Sequence, residues 1–218
     1  MYKLKRQFKK QSILQKTNLY FDFDGTLFDS KEGISIAVKK SAEEVYNIHF
    51  DIPNEFIGPP ISIIHDLIFP GYNKKEEFIK SFRFFYDNTH FIHSSPYYRS
   101  SDFFSDLISI NCNLNIVSNK PTSIINKILD INNIDKYFNH VSGNSEVNSS
   151  KKERLNKLVK LEKLACESIV IGDTIEDFEM ANYTNCKFIF AKYGYGNISE
   201  DVVCLHKLDF LIKLLQNK

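Results

Sequence analysis

The sequence predicts an α/β fold, a doubly wound parallel sheet carrying one helical insertion, and three observations predict it. Short apolar runs recur at Leu19 to Phe23, Leu114 to Val117, Ser168 to Ile171 and Lys187 to Phe190, each bounded by polar or turn residues. Helix-like stretches separate these runs, and strands that alternate with helices build a parallel sheet. Between about Ser30 and Ser95 the alternation stops, and helical patterns follow one another without a convincing strand run.

Taken in order, residues 1–16 carry Lys3, Lys5, Arg6, Lys9, Lys10 and Lys16 with no acid and no continuous apolar stretch, which reads as a solvated basic arm rather than a signal or membrane segment. Residues 17–29 open the core: Leu19-Tyr20-Phe21-Asp22-Phe23 is a buried strand that turns at Asp24-Gly25-Thr26. Residues 30–95 form the inserted helical domain, with helices expected over Lys31 to Ile48, Ile61 to Phe69 and Lys74 to His90. The Gly and Pro of Phe56-Ile57-Gly58-Pro59-Pro60 separate the first two. The aromatic cluster Phe82, Phe84, Phe85 and Tyr86 reads as packing inside that small domain. Residues 96–218 complete the core, where helices at Thr122 to Leu129, Lys152 to Leu164 and Ile175 to Tyr183 each follow a strand. Sheets of this kind bind ligands at the carboxyl ends of their strands, so residues just beyond the strands are the candidates for chemistry.

Composition excludes several classes of function. Hydrophobic residues are 43% and charged residues 25% of 218, the balance of a folded globular chain. Lys and Arg number 28 against 27 Asp and Glu, leaving no global field to draw nucleic acid or a membrane, and neither is expected as a partner. Cys112, Cys166, Cys186 and Cys204 form no CxxC pair, so they read as buried thiols in a reducing cytoplasm. His49, His65, His90, His93, His140 and His206 show no metal-ligand spacing. His65 or Asp66 facing a substrate and simple helix packing explain the second helix equally well, and Arg99 reads as a surface residue.

The sharpest signal is Asp22-Phe23-Asp24-Gly25-Thr26-Leu27. Alternate residues at a strand end share a direction, so two carboxylates can face one pocket. Held about 4 Å apart they would repel by about 4 kcal/mol at an effective dielectric near 20, which calls for a cation, a shared proton or a solvated site.

DFDGTLFDS resembles the first motif of the haloacid dehalogenase superfamily, and the rest of the chain follows that family's pattern in order. Ser118, opening Ser118-Asn119-Lys120-Pro121, resembles the second motif. Lys151, or its neighbour Lys152, resembles the third; relatives usually have proline after this lysine, whereas Lys152-Glu153 stands here. Gly172-Asp173-Thr174-Ile175-Glu176-Asp177 resembles the fourth. The resemblance implies a Rossmann-like core and a magnesium-dependent phosphatase. Asp22 would be the nucleophile and Asp24 the acid and base. Ser118 and Lys151 would grip the phosphoryl oxygens, assisted by Asn119 and by Gly25 and Thr26. Magnesium would be held by Asp22, the Asp24 carbonyl and Asp173, with Asp177 orienting Lys151 or a metal-bound water. Because the dehalogenating branch lacks an acid at the place of Asp24, carbon–halogen chemistry is disfavoured.

The insertion resembles the C1-type cap of the same superfamily, implying a small phosphomonoester substrate. Together with Tyr193-Gly194-Tyr195-Gly196, the motifs look like the phosphoglycolate phosphatase and 5'-nucleotidase branch, which points to phosphoglycolate, a sugar phosphate or a nucleoside monophosphate. The alternatives are a phosphomutase of the same superfamily and a non-catalytic phosphate-binding interaction protein. A monomer or a homodimer is expected.

Overall fold

The computed structural model describes residues 16–50, 52–53, 56–144, 149–161 and 167–216. The basic arm other than Lys16, Cys166 and residues 162–164 of the expected helix Lys152 to Leu164 lie outside the described residues.

Six strands form one wholly parallel sheet: β1 (Thr17–Phe21), β4 (Cys112–Pro121), β5 (Phe138–Asn144), β6 (Glu167–Gly172), β7 (Lys187–Ala191) and β8 (Val203–Leu205), in the order β5-β4-β1-β6-β7-β8. β1 is central, so both faces are covered, and Leu19, Tyr20 and Phe21 are fully buried. That is why it reads as an unbroken apolar run rather than an alternating one. Leu19 and Phe21 join one core while Tyr20 packs with Val117, Val170 and Met180 on the other face. After β1 the chain builds outward through β4 and β5, then crosses back to β6. The reversal opens a crevice between the carboxyl ends of β1 and β6, where such sheets place ligands.

The helices are α1 (Lys31–Tyr46), α2 (Ile61–Ile68), α3 (Lys75–Asn88), α4 (Asp102–Ser109), α5 (Thr122–Ile131), α6 (Lys151–Leu161), α7 (Ile175–Tyr183) and α8 (Leu211–Gln216). The first three lie between β2 (Phe28–Asp29) and β3 (Ser95–Pro96), a short antiparallel ribbon in which Phe28 faces Pro96 and Asp29 faces Ser95. Asn47, Asn111, Asn133 and Asn185, just beyond α1, α4, α5 and α7, hold left-handed φ values of 55–68°. Asparagine serves there in place of glycine because its short amide tolerates that conformation. No helix among the described residues is long and apolar enough to cross a membrane.

Several elements differ from the sequence expectation for identifiable reasons. β5 was hidden because Phe138-Asn139-His140-Val141-Ser142-Gly143-Asn144 is a largely exposed edge strand without an apolar run. β8, three residues long at the opposite edge, gave too little pattern, and it leaves Cys204 exposed, correcting the reading of all the thiols as buried. Cys112 is buried and Cys186 half-buried. β4 runs on past Val117 through a register shift, so Ser118, Asn119 and Lys120 belong to the strand instead of following it. Within the insertion, Phe82 and Tyr86 are buried as expected, but Phe84 is 64% exposed.

Candidate active site

The loop after β1 is wound tightly around one carbonyl. Phe23 O accepts from the N–H groups of Thr26, Leu27 and Phe28, and Gly25 N–H donates to Phe28 O at 2.8 Å. Gly25 holds φ +82°, and a Cβ on it would stand 2.2 Å from Asp173 Oδ2, so only glycine fits. This corrects one expectation: the N–H groups of Gly25 and Thr26 are engaged inside the turn, and Thr26 is fully buried. Thr26 instead sends its hydroxyl to Asp173 Oδ1 at 3.3 Å.

The turn delivers Asp22 and Asp24 to one cavity with Ser118, Asn119, Lys120, Lys151, Thr174 and Glu176. Asp22 is anchored by its own N–H to Ile171 O on the neighbouring β6, at 2.9 Å. Lys151, the first residue of α6, is buried, and its Nζ lies 2.7 Å from Asp22 Oδ1 and 2.6 Å from Asp177 Oδ1. Lys152 turns away to Tyr183, its Nζ 5.5 Å from the ring centre. Of the two candidate lysines, the fold therefore brings only Lys151 to the carboxylates.

Asp177 is also built into the start of α7. Thr174 caps this helix, its hydroxyl donating to Asp177 Oδ2 at 2.6 Å and its N–H to the same oxygen at 3.1 Å. Gly172 makes room, since a Cβ there would meet Asp177 Cγ at 2.3 Å. Asp173 accepts Tyr195 N–H on Oδ2 at 2.7 Å.

Asp22, Asp173 and Asp177 are all buried, with one oxygen of each lying within 4.8 Å of the others. One ammonium faces these three carboxylates, leaving about two negative charges unbalanced in a region of low dielectric. The electrostatics follow. Burial, reinforced by Asp177 and Asp173, drives the Asp22 carboxyl well above the ordinary range despite the pull of Lys151. Asp173 is pushed up to about 6, first by burial and then by Asp177. Burial works against the charge of Lys151, yet Asp177 and Asp22 hold its pKa well above the usual lysine value. A set of buried oxygen donors with that surplus charge fits a hard divalent cation.

Asp24 faces away from this cluster. Its Oδ1 accepts the Ser30 hydroxyl at 2.5 Å and pairs with Lys120 Nζ at 2.8 Å. Lys120 in turn donates to the Tyr86 hydroxyl on α3 at 2.6 Å, so a continuous polar chain runs from the β1 loop to the insertion. Asn119, expected to touch phosphate, lines the cavity but donates to Glu176 Oε2 at 2.7 Å. His65 is buried against the Tyr46 hydroxyl at 2.8 Å, and Asp66 pairs with Lys75, so packing explains that helix. Arg99 is exposed and pairs with Asp209.

Three contributions escaped the sequence reading. Lys120 lies two residues past Ser118 on the same strand, and this alternation is the signal that would have placed both toward one side. Arg154, one helical turn after Lys151, donates from Nη2 to Ser118 O at 2.7 Å and from Nη1 to Ser149 O at 2.5 Å, fixing the backbone of Ser118. Tyr193 and Tyr195 hold the β1 loop and the start of the insertion: Tyr193 donates to Thr26 O at 2.8 Å, and the Tyr195 hydroxyl accepts Ser30 N–H at 2.6 Å.

Comparison with known proteins agrees with this geometry. A family model described as haloacid dehalogenase-like hydrolase matches residues 19–191. A phosphoglycolate phosphatase of Aquifex aeolicus is 28% identical, over 91% of this chain and 96% of its own. A 5'-nucleotidase of Pseudomonas aeruginosa is 26% identical over 91% of each. Among solved structures, a haloacid dehalogenase-like family hydrolase from Streptococcus pneumoniae superposes with a TM-score of 0.81 at 24% identity, covering 93% of this chain and 99% of that one.

Proposed function

Because the chain belongs to the haloacid dehalogenase-like hydrolase family, we propose that it is a phosphatase hydrolysing a small organic phosphomonoester through an aspartyl-phosphate on Asp22. One observation carries the reading: Asp22 shares a cavity with Ser118, Lys151 and a second carboxylate, Asp24, whose bonding is independent of the buried acidic cluster.

In the first step an Asp22 carboxylate oxygen attacks phosphorus, the P–O bond to the leaving group breaks, and Asp24 gives its proton to the departing alkoxide. In the second, Asp24 takes a proton from water as that water attacks the aspartyl-phosphate, releasing inorganic phosphate and restoring Asp22. Ser118 and Lys151 hold the phosphoryl oxygens where negative charge develops. Bound among Asp22, the Asp24 carbonyl and Asp173, with Asp177 behind them, a magnesium ion would neutralise substrate charge that otherwise repels an anionic nucleophile. Residues 30–95 act as a lid of the C1 type. Their helices supply the cavity wall opposite the sheet, and the Lys120–Tyr86 bond joins that wall to Asp24. The names of the relatives support phosphoglycolate or a nucleoside monophosphate as substrate.

The test is phosphate release from glycolate, sugar and nucleoside monophosphates, with magnesium and with excess chelator, for wild type beside Asp22→Asn. Metal-dependent release that the variant lacks is expected. Undiminished release by Asp22→Asn would remove the covalent mechanism.

A further inference from the structure

The helix α3 contributes Phe82, Arg83 and Tyr86 to the cavity that Asp22, Ser118 and Lys151 line from the sheet. The other residues that the insertion brings there, among them Ile34, Pro60 and Ile64, are apolar or small. Arg83 is thus the one charged side chain that the described residues of the insertion bring to the cavity.

Charge matching separates Arg83 from the other cations at the site. Lys151 is held between Asp22 and Asp177, and Lys120 against Asp24, all at 2.6–2.8 Å. Among the described residues Arg83 is paired only with Asp87, one turn along α3, at 3.8 Å, which is beyond hydrogen-bond range. Asp87 Oδ1 itself is buried and has no hydrogen-bond partner. A guanidinium placed to neutralise Asp87 would close a fork at about 2.7–2.9 Å. Instead its Cζ stands 5.6 Å from the Phe82 ring centre, a contact that steadies the planar group without engaging its N–H donors.

The position of Arg83 relative to the chemistry is also defined. It precedes by one helical turn Tyr86, whose hydroxyl leads through Lys120 to Asp24, the residue read as protonating the leaving group. A leaving group that extends from Asp24 toward α3 therefore meets a half-buried guanidinium whose donors are not taken by the described residues. From this arrangement, and resting on the phosphatase reading, we infer that Arg83 binds a carboxylate on the leaving group and makes the site selective for short phosphomonoesters of hydroxy acids. The planar fork of arginine matches a carboxylate bidentately, which lysine cannot do.

The experiment compares hydrolysis of 2-phosphoglycolate with that of its neutral isostere, the phosphate ester of glycolamide, by wild type, Arg83→Met and Arg83→Lys. A charge-assisted pair in a partly enclosed site should give wild type a preference for the acid of about 10- to 100-fold in kcat/KM. In Arg83→Met that ratio should fall to near unity through loss on the acid alone, while the amide changes by less than about threefold. Arg83→Lys, which keeps the charge without the fork, should fall between them, and it carries the comparison if the methionine variant fails to fold. Equal hydrolysis of both esters by wild type, or parallel losses on both in the variants, overturns the assignment and leaves the phosphatase reading standing. No phosphate release by wild type from either ester or from the wider panel overturns the phosphatase reading, and the assignment falls with it.

Discussion

Stripping divalent cations from the protein and raising the pH from about 5 to about 7 should destabilise it, because Asp173 must then ionise without compensation. Its carboxyl, ordinarily near 3.8, titrates at about 6 in the folded chain, raised by burial and by Asp177. Between those values the folded state holds a proton that the unfolded state has lost. Stability is therefore greatest below about pH 4 and declines as the pH rises through 6, by roughly 3 kcal/mol once ionisation is complete. About 1.3 kcal/mol of that falls between pH 5 and pH 7, which for a chain of this length is a fall in Tm of about 3–5 °C. Magnesium should reverse the loss near pH 7 and do less near pH 5, where a proton competes for the same oxygens. The assay is calorimetry of wild type and Asp173→Asn across that range, each with chelator and with magnesium. His90, whose pKa burial lowers, tilts stability in the opposite sense, and comparing the two proteins cancels it. A metal-free Tm that stays level or rises with pH, or an Asp173→Asn variant that keeps the full decline, would refute the account.

Three further outcomes are expected. Lys151→Met leaves Asp22 and Asp177 without their shared ammonium, which should cost about 3 kcal/mol in a urea melt and about 10²–10³-fold in kcat. Gly25→Ala places a methyl 2.2 Å from Asp173 Oδ2 at a left-handed φ; a loss of about 2–3 kcal/mol and a higher magnesium requirement for turnover should accompany it, whereas unchanged metal dependence would contradict the packing. Thr174→Ala removes the side-chain cap of α7 and the hydroxyl bond to Asp177 while keeping the backbone N–H bond, so about 1 kcal/mol of stability should go together with a several-fold lower kcat; loss of stability alone would mean that the hydroxyl does not position Asp177 for catalysis.

How much of this was legible in the chain depended on burial. β1, β6 and β7 announced themselves because central parallel strands are apolar on both faces, and the residues beyond them could be nominated from topology alone. β5 and β8 lie at the edges, where water takes one side and the pattern dissolves. Asp22 and Asp24 were readable because a carboxylate at the end of a buried strand is costly unless used, whereas Lys151 and Asp173 were nominated only through their resemblance to the later motifs. Arg154 and Lys120 were not, since an arginine on a helix or a lysine two places along a strand looks like ordinary surface until tertiary contacts bury it. The N–H groups of Gly25 and Thr26 were misjudged for a related reason: a Gly-Thr turn suggests open donors, and only the path of the loop shows that Phe23 O and Phe28 O take them.

The ribbon of β2 and β3 has an architectural corollary. Phe28 sits opposite Pro96 and Asp29 opposite Ser95, so the chain leaves the sheet and returns to it at points about 5 Å apart. Residues 30–94 are, to the rest of the molecule, an elaborated hairpin loop, and loops lengthen at little entropic expense. Exchanging that loop for another would rebuild the cavity wall, and Asp24 would stay in place only if the new loop supplied counterparts of the Ser30 hydroxyl and of the Tyr86 link to Lys120.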